Sequence, residues 1–328
     1  MDRVLVTGAS GHLGGNLVRA LLGQGRKVRA LVHRQTRALD GLQVETVRGD
    51  LLDRDSLQSA CEGMRTVFHL AATVSAGWQR PARMHEVNVR GTENVAQACL
   101  TSGARMVHFS SVQALCLPAE GAPLDENCDL VEAGTQGRGI YDLTKAAAER
   151  AVLAAVASGL NATILNPTAV LGPFDFQPSP MGQVLRSLGL GKMPALVSGG
   201  YCDFVDARDV ASAALVAEGT GRRGERYLLS GVRLSIVDLA KQWAAATGQR
   251  APRLAFPMGI VRAAAPFAAM YARLRRRRPL LTGESLRILR TQPTVSRHKA
   301  QAELGFAPRP LEETLRDTFE WMKQQGWL

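Results

Sequence analysis

The sequence lacks closely spaced cysteines, long apolar runs and a leader-like N-terminus. Its five cysteines are Cys61, Cys99, Cys116, Cys128 and Cys202. No two of them form a CxxC pair, which argues against a disulfide framework or a zinc site and for a reducing compartment. No uninterrupted apolar stretch reaches the ~20 residues that a helix needs to span a bilayer. An apolar strand begins almost at Met1, so we expect a cytoplasmic protein without a signal peptide.

Acidic residues are outnumbered, because 29 Asp and Glu stand against 40 Lys and Arg and give a formal charge of +11. Nucleic-acid binding would explain this charge, but no known nucleic-acid-binding motif accompanies it. Part of the excess lies in one block, Arg273 and Arg275–Arg278. We therefore expect no nucleic-acid partner, an Arg-rich solvated surface and a positive field that suits an anionic ligand.

The first 165 residues alternate short apolar strands with amphipathic helices. Strands are predicted at Val4–Thr7, Lys27–Val32, Gln43–Arg48, Thr66–Leu70, Arg105–Phe109 and Ala162–Leu165, and helices at Leu13–Gln24, Asp53–Cys61, Ala82–Thr101 and Tyr141–Ala157. Strict alternation implies right-handed crossovers, so we predict an α/β fold with a doubly wound parallel sheet.

The pattern changes after Asn166, where prolines and glycines interrupt the chain. Regular helices are not expected over 167–201. The segment 204–217 is predicted to return to the sheet, and Ser235–Thr247 and Leu311–Gln325 are predicted helices. We expect a large domain over 1–166, to which about 202–230 returns, and a smaller, discontinuous part over 167–201 and 231–328.

Three glycines, Gly8, Gly11 and Gly14, lie between the first predicted strand and the first predicted helix. Their spacing is G-x-x-G-x-x-G, which differs from the commonest dinucleotide fingerprint. The physical reasons for glycine at these positions are nevertheless the same in both patterns. Glycine permits the tight turn, lets backbone N–H groups approach phosphate and allows close helix–strand packing. Incidental glycines in a turn are the alternative, and the flanking strand and helix favour a cradle for a dinucleotide pyrophosphate.

The end of the second strand indicates which dinucleotide is preferred. An acidic residue there would accept the ribose hydroxyls of NAD. This strand instead ends in His33 and Arg34, with Arg37 nearby. These cations favour NADP(H) over NAD(H), with a solvent-facing Arg34 as the alternative. Asp50 is placed either to accept from the adenine amino group or to cap the following helix.

A second motif, Tyr141-Asp142-Leu143-Thr144-Lys145, follows Ser110-Ser111 along the chain. Tyr141 and Lys145 are four residues apart, so they share one face of a helix. A free tyrosine has a pKa of about 10, and a neighbouring ammonium lowers it. Tyr141 can then exchange a proton with a substrate oxygen as a hydride moves, while a serine hydroxyl orients that oxygen. After a dinucleotide cradle, this pattern predicts an NAD(P)-dependent oxidoreductase.

These segments resemble the extended short-chain dehydrogenase/reductase family, within the NAD(P)-dependent epimerase/dehydratase superfamily. The resemblance is carried by Thr7–Gly14, Gly49–Leu51, His69–Ala72, Asn88–Asn94, Ser110-Ser111, Tyr141–Lys145, Asp203–Asp206 and Glu303–Phe306. It implies a Rossmann domain, a Ser-Tyr-Lys triad and a C-terminal part that selects the substrate. It also implies that Ala71 and Ala72 line the cofactor and that Asn88 secures the neighbouring backbone, for which a plain structural hydrogen bond is the alternative.

The expected cofactor contacts follow from the motifs and the resemblance together. They are Gly8, Ser10, Gly11, His12, Leu13, Gly14, His33, Arg34, Asp50, Leu51, Leu70, Ala71, Ala72, Asn88, Tyr141, Lys145, Asn166 and Thr168. No metal ligand set is expected.

Two departures from the sugar-nucleotide members of the family narrow the resemblance. Those members usually carry Ser or Thr third in the strand-five motif, where this chain has Val112, so Ser111 is the expected triad serine and Ser110 the alternative. They also usually carry Arg-Pro after the sixth strand, where this chain has Asn166-Pro167. The resemblance is to dihydroflavonol-reductase-like and 3β-hydroxysteroid-dehydrogenase-like members and implies a hydrophobic substrate. The predicted pocket residues are Thr73, Trp78, Ser111, Gln113 and Phe174.

Three functions are compatible with these features. The first is an NADPH-dependent carbonyl reductase, or the reverse alcohol dehydrogenase, acting on a fairly hydrophobic ketone or aldehyde. The second is an NAD-dependent sugar-nucleotide epimerase or dehydratase. The third is a non-enzymatic NAD(P) sensor, against which the intact pair of Tyr141 and Lys145 speaks.

Two surfaces suggest partners. The helices predicted at 82–101 and 141–157 carry small residues that include Ala147, Ala151, Ala154 and Ala155, and the resemblance implies a homodimer paired through these helices. The apolar stretch Phe256–Leu274, followed by Arg275–Arg278, indicates either a helix that covers the substrate pocket or a peripheral membrane contact.

Overall fold

The computed structural model describes residues 3–74, 81–193, 195–263, 286–287, 289 and 293–328. Trp78 of the predicted pocket and the block Arg273–Arg278 lie outside these residues.

Twelve strands are described within these ranges. They are β1 (Arg3–Thr7), β2 (Lys27–Val32), β3 (Glu45–Arg48), β4 (Thr66–His69), β5 (Arg105–Phe109), β6 (Ala162–Pro167), β7 (Ala169–Leu171), β8 (Leu196–Ser198), β9 (Tyr201–Asp206), β10 (Arg226–Leu229), β11 (Val232–Ser235) and β12 (Ala255–Pro257).

Besides the helical residues 258–263, ten α-helices have both ends in the same ranges. They are α1 (His12–Gly23), α2 (Arg54–Cys61), α3 (Pro81–His85), α4 (Gly91–Ser102), α5 (Ile140–Ala157), α6 (Pro180–Gly189), α7 (Ala207–Thr220), α8 (Ile236–Thr247), α9 (His298–Leu304) and α10 (Leu311–Gln324), with a π-helical turn at Glu86–Arg90 joining α3 to α4.

The central sheet has seven strands in the order β10-β6-β5-β4-β1-β2-β3. Every pairing in it is parallel. The strand β1 is buried on both faces, since Val4 and Val6 join the core that contains α1 and α7, and Leu5 joins the core that contains α2, α4 and α5. The predicted doubly wound parallel sheet is confirmed.

The segment predicted to return to the central sheet does so only in part. Helix α7 packs against α1, and β10 pairs with β6, but β9 pairs with β7 and β11 in a separate three-stranded sheet. The prediction for 204–206 was therefore wrong. A short apolar strand is compatible with either sheet, and only the long-range pairing decides which one it joins.

The expectation of no regular helix in the proline-rich stretch was also wrong, because α6 begins at Pro180. Proline fits the first turn of a helix, where its missing N–H is not needed. Ser179 caps this helix by accepting from Gly182 N at 3.0 Å. Beyond it, α8 and α10 pack around Trp243 and Phe319, whose ring centroids lie 5.7 Å apart.

Candidate active site

The glycine loop has the shape of an anion cradle. Gly8 has a φ of +70°, which favours glycine, and a Cβ on Gly14 would lie 2.1 Å from the carbonyl oxygen of Gly8. Gly11 is the N-cap of α1 and makes no side-chain cap hydrogen bond. The first N–H groups of α1 are therefore available to a phosphate, so the loop fits a dinucleotide pyrophosphate.

His12 and Asn16, both on α1, tie this helix to the loop after β7. His12 Nε2 lies 3.1 Å from both the Gly172 and the Pro173 carbonyl oxygens, and Asn16 Nδ2 donates to Pro173 O at 3.0 Å. The next residue, Phe174, has a φ of 66° and packs its ring against Arg19, with the guanidinium carbon 4.3 Å from the ring centroid. Phe174 thus lies on the flank of α1, and its role in a substrate pocket stays a prediction.

Buried polar groups connect the cradle to the end of β4. Thr7 Oγ1 lies 2.7 Å from His69 Nδ1 and accepts from Ala71 N at 3.3 Å. His69 Nε2 lies 3.0 Å from Thr92 Oγ1, which donates its own proton to Asn88 O at 2.7 Å. Nε2 therefore carries a proton and donates it to Thr92 Oγ1. Burial, aided by the charge of Lys145, lowers the pKa of His69 to about 3.

Asn88 joins this chain to α5. Its Oδ1 accepts from Thr73 N at 2.7 Å, while its Nδ2 donates to Thr73 O at 3.0 Å and to Thr144 Oγ1 at 3.1 Å. Thr144 Oγ1 in turn donates to Tyr141 O at 3.0 Å. Asn88 thus clamps the backbone that follows Ala71 and Ala72, and it also fixes the first turns of α5.

Lys145 reaches from α5 to the end of β5. Its ammonium is buried and donates to Phe109 O at 2.6 Å. Burial lowers the pKa of Lys145 to about 8, against the raising effect of Glu149. Beside it lies His108, whose ring stacks on His69 at 5.4 Å and whose ring nitrogens have no hydrogen-bond partner among the described residues.

Both candidate serines follow β5. Ser111 Oγ accepts from Gln113 N at 3.2 Å, and Ser111 is 8% exposed. Ser110 donates its backbone N–H to Leu165 O at 2.8 Å, and its Oγ has no partner among the described residues. The assignment of Ser111 to the triad therefore stays a prediction.

Sequence reasoning missed a carboxylate behind this site. Glu149 accepts from Asn166 Nδ2 at 2.9 Å and pairs with Arg226 Nε at 2.9 Å. Asn166 Nδ2 also donates to Ser111 O at 3.2 Å. The available signal was the spacing, since Glu149 lies four residues after Lys145 on the same helix face.

At the adenosine end, the side chains of His33 and Asp50 contact each other, with Nε2 and Oδ2 3.5 Å apart. The helix-cap alternative for Asp50 was wrong, because Asp53 caps α2 and Asp50 Oδ1 accepts from Leu52 N at 3.0 Å. Arg34 is exposed after β2, as the cofactor prediction requires.

The remaining predicted cofactor contacts differ in their burial and in their hydrogen bonds within the protein. Leu51 is buried and its carbonyl accepts from Asn94 Nδ2, whereas Thr168, which directly follows β6, donates its hydroxyl to Leu229 O. The half-buried ones are Ser10, Leu13, Leu70 and Ala72.

A shallow cleft lies against residues that directly follow the serine and the tyrosine in the sequence. Its lining includes Val112 and Gln113, which follow Ser111, and Asp142, which follows Tyr141. The rest is largely apolar and comes from Leu115, Leu117, Leu124, Pro293 and Val295, with two arginines at Arg138 and Arg287.

Comparison with known proteins defines the class. The chain belongs to the NAD dependent epimerase/dehydratase family, whose model matches residues 4–229. It is an NAD(P)-dependent oxidoreductase acting on CH–OH groups, as the names of its relatives and the site together indicate.

Particular relatives place it within the subgroup that the sequence resembles. It is 38% identical to "Sterol demethylase protein B" of Methylococcus capsulatus over 99% of each chain. It is 32% identical to a "Putative dihydroflavonol 4-reductase" of Synechocystis sp. over 100% of this chain and 96% of that one. The resemblance to the extended family and to this subgroup is confirmed.

Solved structures show the same architecture. The crystal structure of gox2253 superposes with a TM-score of 0.86 at 33% identity and covers 100% of both chains. MoeE5 in complex with UDP-glucose and NAD superposes with a TM-score of 0.77 at 26% identity over 99% of both chains.

Proposed function

We propose that this protein is an NADPH-dependent carbonyl reductase, or the reverse alcohol dehydrogenase, acting on a fairly hydrophobic ketone or aldehyde. The observation that carries the proposal is the bond from Lys145 Nζ to Phe109 O. This bond holds the helix face that carries Tyr141 and Lys145 against the end of β5, which Ser111 follows two residues later. The loop after β4, which contains Ala71, packs against Gly8 of the cradle.

The proposed chemistry divides among three side chains. The nicotinamide supplies or accepts the hydride when the cofactor is bound. Tyr141 gives the proton to the carbonyl oxygen in reduction and takes it back in oxidation. Lys145 binds the ribose and lowers the pKa of Tyr141 by its charge. Ser111 donates a hydrogen bond that fixes the carbonyl oxygen.

The cofactor preference is proposed from charge. Arg34 is exposed at the end of β2 and has no neighbouring acid at 33–39 in the sequence. A guanidinium there binds the 2′-phosphate of NADP(H), which is absent from NAD(H).

The hydrophobic substrate is supported by the largely apolar lining of the cleft that includes Val112 and Gln113, and by the names of relatives that refer to sterols and dihydroflavonols. The proposed substrate-binding part comprises 167–201 and 231–328. A screen of sterols, aromatic ketones and aldehydes with NADPH and NADH tests the proposal through the absorbance of the reduced nicotinamide. Consumption of NADPH with one of these classes is the expected result, and none with any class would refute it.

An epimerase or dehydratase with retained NAD is the second candidate, because MoeE5 is a structural neighbour that binds UDP-glucose and NAD. In that reaction the hydride returns to the same substrate. Turnover of a nucleotide sugar without net change in nicotinamide absorbance would favour it. The third candidate, a sensor, is disfavoured by the retained Tyr141 and Lys145.

Two contacts with partners are also proposed. A homodimer would pair α4 and α5 with their copies, since α5 carries half-buried Ala147 and Ala151 and exposed Ala154. A peripheral membrane contact would use the apolar side chains near β12. Among the described residues, no helix is long and apolar enough to cross a bilayer.

A further inference from the structure

Glu149 is a buried acidic residue that the proposed reduction does not use. It lies on α5 at four-residue spacing from Lys145, which lies at four-residue spacing from Tyr141, so the three side chains follow one helix face. Glu149 has an exposed fraction of 0%. A buried carboxylate is costly unless it is paired and hydrogen-bonded, so its partners show what holds it there.

The two oxygens of Glu149 have different partners. Oε1 pairs with Arg226 Nε on β10 at 2.9 Å, and Oε2 accepts from Asn166 Nδ2 on β6 at 2.9 Å. Arg226 also donates to Cys128 O at 2.9 Å. The carboxylate is therefore fixed between the helix and two neighbouring strands.

Asn166 connects Glu149 to the main chain of the predicted triad serine, Ser111. The same Nδ2 that donates to Glu149 donates to Ser111 O at 3.2 Å. Loss of the acceptor at Glu149 would free the amide of Asn166 to turn, and the main chain of Ser111 would lose one of its anchors.

Glu149 also acts on Lys145 through its charge. The titratable groups that interact electrostatically with the ammonium are Glu149 from α5, His69 from β4 and His108 from β5, and Tyr141 precedes Lys145 by one turn of α5. Burial keeps both histidines neutral at neutral pH, since it lowers the pKa of each. Glu149 is the acidic residue that raises the pKa of Lys145.

We propose that Glu149 is a positioning residue of the site: through Asn166 it fixes the main chain of Ser111, and through its negative charge it keeps Lys145 protonated beside Tyr141. The inference rests on the proposed reduction for its role in turnover. Its effect on Lys145 does not depend on the substrate.

Glu149→Gln tests the proposal, because it keeps the shape and removes the charge. The alkaline limb of the kcat profile is expected to move to lower pH, because the neutral side chain no longer raises the pKa of Lys145. The matched control is Asp209→Asn, which removes a buried carboxylate paired with Arg309 at 2.8 Å on another helix. This control is expected to lower thermal stability and to leave the limb in place.

A binding measurement separates this inference from the proposed function. The Kd of NADPH is followed from pH 6.5 to pH 9.5 by nicotinamide fluorescence, with Lys145→Met as the baseline that lacks the titrating amine. Deprotonation of Lys145 should raise the Kd of NADPH as the pH increases. We expect this rise to begin at a lower pH in Glu149→Gln than in the wild type. If the wild type turns over no carbonyl compound, the proposed reduction fails and this titration still decides the inference.

The inference would be overturned if Glu149→Gln lowered kcat equally at all pH values and left both the alkaline limb of kcat and the pH at which Kd rises unchanged. Glu149 would then be a structural residue only. Glu149→Asp is a second variant that keeps the test possible if Glu149→Gln does not fold. It keeps the charge and shortens the reach, so it is expected to keep the wild-type limb at a lower kcat. A limb displaced in Glu149→Asp as far as one displaced by neutralisation would also contradict the proposal.

Discussion

At the scale of single residues, Tyr141 is the proton donor on which the proposed chemistry depends. Tyr141→Phe should lower kcat by about 10²–10⁴-fold, the usual cost of losing a general acid. The affinity for NADPH should change little, because the phenol does not hold phosphate. Stopped-flow turnover and a fluorescence titration check the two halves, and a wild-type kcat in the variant would remove Tyr141 from the mechanism.

Arg34 is the residue on which cofactor choice depends. Arg34→Asp should shift the ratio of kcat/KM for NADPH over that for NADH towards NADH, because a carboxylate repels the 2′-phosphate and accepts from ribose hydroxyls. Steady-state kinetics with both cofactors measure the ratio. Arg316→Asp, an exposed arginine on α10, is the control. An unmoved ratio in Arg34→Asp would make Arg34 a surface residue only.

The residues that sequence reasoning located are those whose chemistry depends on local spacing. The glycines of the cradle and the pair of Tyr141 and Lys145 are set by turns and by helix periodicity, which the sequence displays. Glu149, Asn166 and Arg226 meet only because α5, β6 and β10 come together in space. No local pattern encodes such a meeting, although each residue was visible in the sequence.

At the scale of elements, the same distinction explains which parts of the fold were foreseen. The central strands of the parallel sheet are short, buried segments rich in apolar residues, so β1, β4 and β5 were predictable. The strand β9 is also buried but pairs in the smaller sheet, whereas α6 begins at a proline in its first turn with Ser179 as its N-cap. The pairing of β9 is a tertiary fact, whereas the serine and proline that begin α6 are a local helix-start signal that the sequence prediction missed.

The adjoining strands β4 and β5 predict an acid-sensitive core. Their histidines, His69 and His108, are buried and have lowered pKa values, that of His69 about 3. The unfolded chain binds protons below pH of about 6.5, whereas the folded chain does not, so stability falls as the pH decreases from there towards 3. For His69 alone the loss is on the order of 5 kcal/mol at the acid limit, as an upper value.

His108→Leu isolates one half of this effect. The change removes a titrating ring whose nitrogens have no partner among the described residues, so the melting temperature should fall less steeply below pH 6.5. Thermal melts from pH 4 to pH 8 give the slope. His298→Leu at an exposed position of α9 should leave it unchanged. A slope in His108→Leu equal to that of the wild type would show that His108 titrates normally.

At the scale of the whole molecule, the surface near β12 predicts an interaction with lipid. Leu254, Phe256 and Ile260 are 58%, 42% and 58% exposed, with exposed Arg253 and Arg262 among them. Apolar side chains beside cations suit an anionic membrane surface. The protein should sediment with anionic but not with neutral liposomes, and binding should weaken in high salt. Changing Phe256 and Ile260 to Ser should abolish it, and a wild type that stays in the supernatant would leave these side chains a cover for the pocket.

The last prediction concerns assembly. Helices α4 and α5 cover the face of the sheet opposite to α1 and α7, and α5 presents Ala154 to solvent. Small side chains let two copies of such a helix pair approach closely, so light scattering should give twice the chain mass of 35.3 kDa. Ala154→Arg places a long charged side chain in that contact and should return the mass to that of one chain. Val216→Arg, at a 41% exposed position of α7 on the other face, should leave the dimer intact. A wild type that scatters as a single chain at micromolar concentration would show that the alanines of α5 pack only within their own subunit.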